Sequence, residues 1–254
     1  MKNLLLVSLI TPLLFVTGAH ATLIASIGNG ATPNEFSGVQ GQDGWSYGYW
    51  DVPAGTTMTD YVPADFTAFL GGSDVAGNWS DTDHWNDGSG RWDYNPVGGG
   101  VGNPPWTEIG NGSMHPQDAN PGNPDNGGLE MAAVLRYEVE PGFGSNLYIS
   151  GFFNNVSANA DGTTGRIFHN GTQLYSVLTD GTTDNFSNVN VTAVAGDYID
   201  FMIDIGPTAG TPGSNGDGSD GTNYRFQINA IPEPSSLMLC LLGVAGLVGF
   251  RRRG

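Results

Sequence analysis

The sequence predicts an all-β protein, an antiparallel β-sandwich of jelly-roll type, and three observations predict it. Apolar residues in the second half of the chain alternate with a period of two, the spacing at which side chains share one face of a strand. Turn-forming Gly, Asn, Asp and Pro recur every eight to twelve residues, giving seven or more short strands. Helical periodicity is missing between the two ends, and no repeat of fixed length is visible, which argues against a propeller or solenoid.

The N-terminal residues 1–21 read as a signal peptide. Met1-Lys2-Asn3 is a basic n-region, Leu4 to Val16 an apolar h-region, and Ala19-His20-Ala21 a small-x-small site for signal peptidase. The apolar run is too short for a membrane span and is broken by Thr11 and Pro12. The mature domain is expected over residues 22–230.

Thr22 to Ile27 is a candidate first strand, closed by Gly28-Asn29-Gly30. From there to about Gly128 the chain is rich in Gly, Asn, Asp and Pro, with aromatic islands at Trp45 to Trp50, Tyr61 to Phe69, Trp79 to Trp92 and Trp106 to Ile109. All six tryptophans fall between Trp45 and Trp106. In Trp45-Ser-Tyr47-Gly-Tyr49 the odd positions share a face; filling the sandwich core is the expected role for them, and an aromatic platform for stacking on sugar rings is the alternative. Gly110 to Gly128 lacks apolar periodicity and reads as a long loop, a feature that often carries function.

The second half is regular. Leu129, Met131, Ala133, Leu135, Tyr137 and Val139 face one side of a strand; Glu130, Arg136 and Glu138 face the other, together with Ala132 and Val134. Asn146 to Val156 repeats the alternation. Arg166 to His169 and Thr172 to Leu178 flank Asn170-Gly171, the dipeptide best suited to a type I′ hairpin turn. Phe186 to Val194 and Tyr198 to Ile205 flank the tight connection Ala195-Gly196-Asp197. Tyr224, Phe226 and Ile228 alternate in a last strand.

Charge narrows the function. The chain has 8 basic and 25 acidic residues. Lys2 and three terminal arginines lie at the ends, as does Glu233, so the body keeps 4 basic against 24 acidic residues, a net −20 with no lysine. Such a surface repels phosphate backbones and excludes nucleic acid as a partner. The only cysteine, Cys240, lies in the tail, so the body has no disulfide and rests on its core, for which its length suffices.

The C-terminal residues 231–254 have three parts. Pro232-Glu233-Pro234 is held extended, because each proline locks its own φ and restricts the residue before it. Leu237 to Phe250 is a 14-residue apolar run, a short apolar helix of about 21 Å against about 30 Å of hydrocarbon. Arg251, Arg252 and Arg253 keep the end in the cytoplasm. In this order the parts resemble the PEP-CTERM sorting signal of bacterial exopolysaccharide-associated surface proteins. The resemblance implies an exported protein inserted transiently in the inner membrane through the C-terminal helix. It implies processing by an exosortase-type membrane protease, and a final place at the cell surface or outside the cell. A second likeness rests on Gly38-Val-Gln-Gly41-Gln-Asp-Gly44-Trp45-Ser-Tyr47-Gly-Tyr49, His115-Pro116 and Gly165-Arg166-Ile-Phe-His-Asn170-Gly171. These look like parts of a secreted bacterial β-sandwich module found beside polysaccharide-active enzymes, and they imply a carbohydrate-facing accessory role.

No enzyme motif stands out. A Gly-x-Ser-x-Gly elbow in a strand-to-helix context is missing, and His84, His115 and His169 have no metal-binding spacing. A glycosidase pair could be assembled from Glu108, Asp118, Asp125 and Glu130, but so many acids make such a pair cheap to draw. Oxygen-rich turns around Asp81, Asp83 and Asp87, and around Asp217 and Asp220, suit a structural calcium ion, although turn-forming Asp and Asn also account for them. Trp79, Trp85, Trp92 and Trp106 sit among polar, turn-forming neighbours; partial exposure is expected for them, and with it a carbohydrate-binding surface. The expectation is therefore a non-catalytic protein that contacts exopolysaccharide. A polysaccharide hydrolase or lyase and a purely structural matrix protein are the alternatives.

Overall fold

A computed structural model describes residues 21–70, 73–74, 85–86, 89–94, 107–117, 130–143, 146–155, 162–206 and 221–231. Ala21–Ile231 forms one compact unit. Its regular elements among the described residues are fifteen strands and three single-turn 3-10 helices at Gln42–Gly44, Met58–Asp60 and Pro63–Asp65. The strands are β1 (Thr22–Gly28), β2 (Trp45–Asp51), β3 (Thr67–Ala68), β4 (Ser73–Asp74), β5 (Trp85–Asn86), β6 (Arg91–Asp93), β7 (Glu108–Gly110) and β8 (Ser113–His115). They continue with β9 (Met131–Glu138), β10 (Asn146–Asn155), β11 (Thr163–His169), β12 (Thr172–Thr179), β13 (Thr183–Thr192), β14 (Tyr198–Asp204) and β15 (Thr222–Ala230).

Two sheets form the sandwich. One runs β12-β11-β14-β9-β2-β3; the other runs β13-β10-β15-β8-β7-β6-β5-β4, with β1 also on β15. Every pairing is antiparallel except β4 with β5. Thus β15 is flanked along its length by β10, and on its other edge by β8 at the start and β1 from Arg225 to Ala230.

Alternation places the core. Trp45 and Tyr47 of β2, Ala133, Leu135 and Tyr137 of β9, Ile167 of β11, and Ile199, Phe201 and Ile203 of β14 point inward, against Leu147, Ile149, Phe153, Tyr224, Phe226 and Ile228 of the facing sheet. The Phe201 and Phe226 rings stack at 4.1 Å across the two sheets. Gly165 and Gly151 mark close approaches: a Cβ on Gly165 would lie 2.5 Å from the Phe153 ring, and one on Gly151 only 2.0 Å from the Arg225 carbonyl oxygen. The Asn170-Gly171 turn forms as the dipeptide predicts, with φ of 47° and 82° and His169 paired to Thr172. The Ala195-Gly196-Asp197 connection carries the chain from one sheet to the other.

In its loops and strand faces the structure departs from the sequence reading at the 110–117 segment and on the far side of β9. The segment read as a loop from Gly110 begins as a hairpin, because β8 pairs with both β7 and β15, and Gln117 bridges to Met131. The partly apolar far side of β9 is not a solvent face. Ala132 and Val134 join Trp50, Val52, Met58, Tyr61, Phe168 and Met202 in a second cluster on the outside of the six-stranded sheet. Residues 52–66 cover it.

Candidate functional site

On this outer face lies a groove of about 570 Å³ between the 56–59 loop and the hairpin of β11 and β12. Thr56, Thr57 and Thr59 line one wall; Thr164 and Arg166 of β11 and Ser176 and Leu178 of β12 form the other. Even-numbered positions of β11 point outward here, since Ile167 is in the main core and Phe168 in the outer one. The loop wall is held by a capping box, in which Thr57 Oγ1 donates to Asp60 Oδ2 at 2.8 Å and Asp60 in turn accepts the Thr57 N–H at 3.2 Å.

Arg166 is the groove's cation. Its Nε donates to Asp204 Oδ2 at 2.5 Å, and its Nη1 donates to Gln173 Oε1 at 3.1 Å and Ser176 Oγ at 3.3 Å. Asp204 is fully buried at the base and also accepts the Gly206 N–H at 2.9 Å. Burial pushes its carboxyl above the ordinary range, against the pull of Arg166, Gly206 and Thr164. The floor is therefore a satisfied ion pair, while the walls offer hydroxyls that both donate and accept.

The tryptophans are placed differently from expectation. Trp92 is fully buried: its ring stacks on Tyr47 at 5.4 Å, lies parallel to Phe69 at 6.4 Å, and its Nε1 donates to the Ser37 carbonyl at 2.9 Å. It is a core residue, and the expected exposure is corrected. Besides Trp85, its ring neighbours Tyr47 of β2 and Phe69 come from outside the polar stretch around it. Trp85 is half-buried, 5.3 Å from Trp92 and 6.1 Å from Phe36, with its ring lying over Gly38. Trp45 also belongs to the core, donating its Nε1 hydrogen to Glu35 Oε2 at 2.8 Å. Trp79 and Trp106 lie outside the described residues.

So do the proposed calcium ligands Asp81, Asp83, Asp87, Asp217 and Asp220, along with Ala19 and the tail residues Pro232, Glu233, Pro234, Arg251, Arg252 and Arg253. Among the described residues no three His, Cys, Asp or Glu side chains gather as a metal site. Nor does any helix among them have the length and apolarity to cross a membrane. Of the expected site residues, Ala21 immediately precedes β1. The groove was missed in the sequence. Arg166 alternating with Thr164 was its only signal, and the opposing threonines lie more than a hundred residues earlier.

Comparisons with known proteins place the tail. No curated protein matches the chain. Among solved structures, similarity is seen to the CBM51 from Clostridium perfringens GH95 in complex with methyl-galactose, at 8% identity and a TM-score of 0.29, covering 65% of this chain and 92% of that one. It is also seen to the CBM36-1 domain of a multidomain xylanase from the hindgut metagenome of Trinervitermes trinervoides, at 12% identity and a TM-score of 0.26, covering 47% and 88%. Pika GITRL is similar at 17% identity and a TM-score of 0.26, covering 40% and 75%. The described part of the chain ends at Ile231, one residue before the proline triplet, and residues 230–253 match the PEP-CTERM protein-sorting motif. The chain thus carries the signal of an exported protein that is sorted by an exosortase-type system.

Proposed function

We propose that the protein is a non-catalytic surface or matrix protein that contacts exopolysaccharide after signal peptidase and exosortase-type processing. On this reading the tail inserts transiently in the inner membrane, and the sandwich ends at the cell surface or outside it. The observation that carries the reading is the groove between the 56–59 loop and the β11–β12 hairpin. Its size falls within the usual range of small-ligand sites, about 300–1,000 Å³. Threonine and serine hydroxyls on its walls match the donors and acceptors of sugar hydroxyls, and Leu178, 49% exposed, offers an apolar surface for ring C–H groups. Asp204, the carboxylate behind the groove's Arg166, is buried and committed to that arginine, which supports binding over hydrolysis. An affinity gel cast with the host's exopolysaccharide tests the reading. A binder is retarded and leaves polymer length unchanged. New reducing ends without unsaturation identify a hydrolase, and new reducing ends matched by unsaturated non-reducing ends a lyase. Neither retardation nor cleavage leaves a purely structural role.

A further inference from the structure

We propose that the folded sandwich restrains cleavage of its own tail, so that release requires the end of β15 to fray from β1 and β10. This rests on the reading of residues 230–253 as a working sorting signal. The first of those residues is part of the sheet and the second is hydrogen-bonded to it. Ala230 pairs with Thr22 of β1 on one side and with Leu147 of β10 on the other, and only 7% of it is exposed. The Ile231 N–H then donates to the Asn146 carbonyl at 2.9 Å, so the ladder continues to the residue before Pro232.

The chain between the sheet and Glu233 is thus one proline long. Three extended residues span about 10 Å, and a protease takes its substrate as an extended segment free of other strands. A strand paired on both edges is closed to it, and cleavage draws on the opened population. The two ends of the domain differ in this respect. β1 pairs only with β15, the last strand to be made, so the expected cleavage point at Ala21 stays unpaired while the chain emerges. The tail becomes available only once β15 has its full set of partners within reach. Fraying of one strand end, and not unfolding of the domain, then sets the pace of release.

The test uses the full chain in a host with its exosortase system and follows tail removal by pulse-chase. A flexible Gly/Ser spacer of about ten residues, followed by a second Ala-Ile pair, is placed between Ile231 and Pro232 to keep the matched segment whole. A control carries the same spacer in the exposed Asp180-Gly181 turn. Severalfold faster tail removal in the first variant and the parent rate in the control is the expected result. An unchanged or slower rate in the first variant overturns the restraint. Replacing Pro232, Glu233 and Pro234 by alanine in both backgrounds separates the two readings. Both alanine variants should stay membrane-bound with their arginines attached. Normal processing of either would sink the sorting reading and the restraint together, whereas loss of processing with no spacer effect sinks the restraint alone.

Discussion

Arg136 grips Asp200 with two hydrogen bonds, Nε to Oδ1 at 2.7 Å and Nη2 to Oδ2 at 2.9 Å, on the outer face of the six-stranded sheet. The Asp200 side chain is fully buried and that of Arg136 nearly so. Tyr61 Oη donates to Asp200 Oδ2 at 2.9 Å, and burial, followed by the charge of Asp200, pushes its hydroxyl pKa far up. Arg136 Nη2 reaches the Pro63 carbonyl at 3.0 Å, and the guanidinium lies between the Phe66 and Tyr198 rings at 4.2 and 4.3 Å. This cluster fastens residues 52–66 to the sheet and so positions the loop wall of the groove. Removing one partner leaves a buried charge unpaired. Asp200→Ala should therefore lower stability by about 3–5 kcal/mol, whereas Arg136→Met with Asp200→Leu should be close to neutral. Urea denaturation of the three proteins decides it.

Trp92 and Trp85 should separate in a second denaturation series. Trp92→Ala empties a core site and should cost about 3–5 kcal/mol. Trp85 is half-buried at the same aromatic cluster, so its truncation should cost clearly less. Equal costs would show that the ring of Trp85 is as necessary to the core as that of Trp92.

Acid should loosen the connection between β13 and β14. Burial alone would raise the Asp197 carboxyl pKa, but hydrogen bonds from the Val194 N–H, Asn170 and His169 outweigh it and lower the value. A lowered folded pKa adds stability that is present above the unfolded value of about 3.9 and is lost as pH falls through the folded pKa. The group is half-buried at the surface, with 19% of its side chain exposed, and screening by the adjoining solvent keeps the effect to about 1 kcal/mol or less. Asp197→Asn should lower the melting temperature at pH 7 slightly and flatten the acid limb of the stability curve. An acid limb identical to the parent's would place the titrating group elsewhere.

Polysaccharide retention should depend on the groove walls. Thr59 and Ser176 are exposed there, and neither supports the core. At about 1 kcal/mol per lost hydrogen bond, Thr59→Ala with Ser176→Ala should weaken retention roughly thirtyfold while leaving the melting temperature unchanged. Retention equal to the parent's would move the binding surface away from this groove.

Calcium is the cation to test at the turns around Asp81, Asp83 and Asp87 and around Asp217 and Asp220. A structural ion bound only by the native state predicts a melting temperature that falls with chelator and recovers with millimolar calcium. Superimposable melting curves would exclude an ion that matters to stability.

What the sequence by itself determined about this protein is what local chemistry encodes. Period-two alternation marked β9, β10 and β15, because adjacent residues of one strand decide which face is apolar. Asn170-Gly171 marked a type I′ turn, because two successive residues must adopt positive φ. The sorting tail was legible for the same reason, since its three parts are contiguous. Only the tertiary structure decided which distant surfaces meet. Trp92 stands between Arg91 and Asp93 and looks exposed, yet it is buried by Tyr47 and Phe69, brought to it from distant parts of the chain. Arg136 and Glu138 share a strand face, yet a covering loop and Asp200 bury the first while the second stays in water. Thr22 and Ala230 are 208 positions apart and form a cross-strand pair. Burial and pairing are sums over neighbours far away in the chain, and no window of sequence contains them.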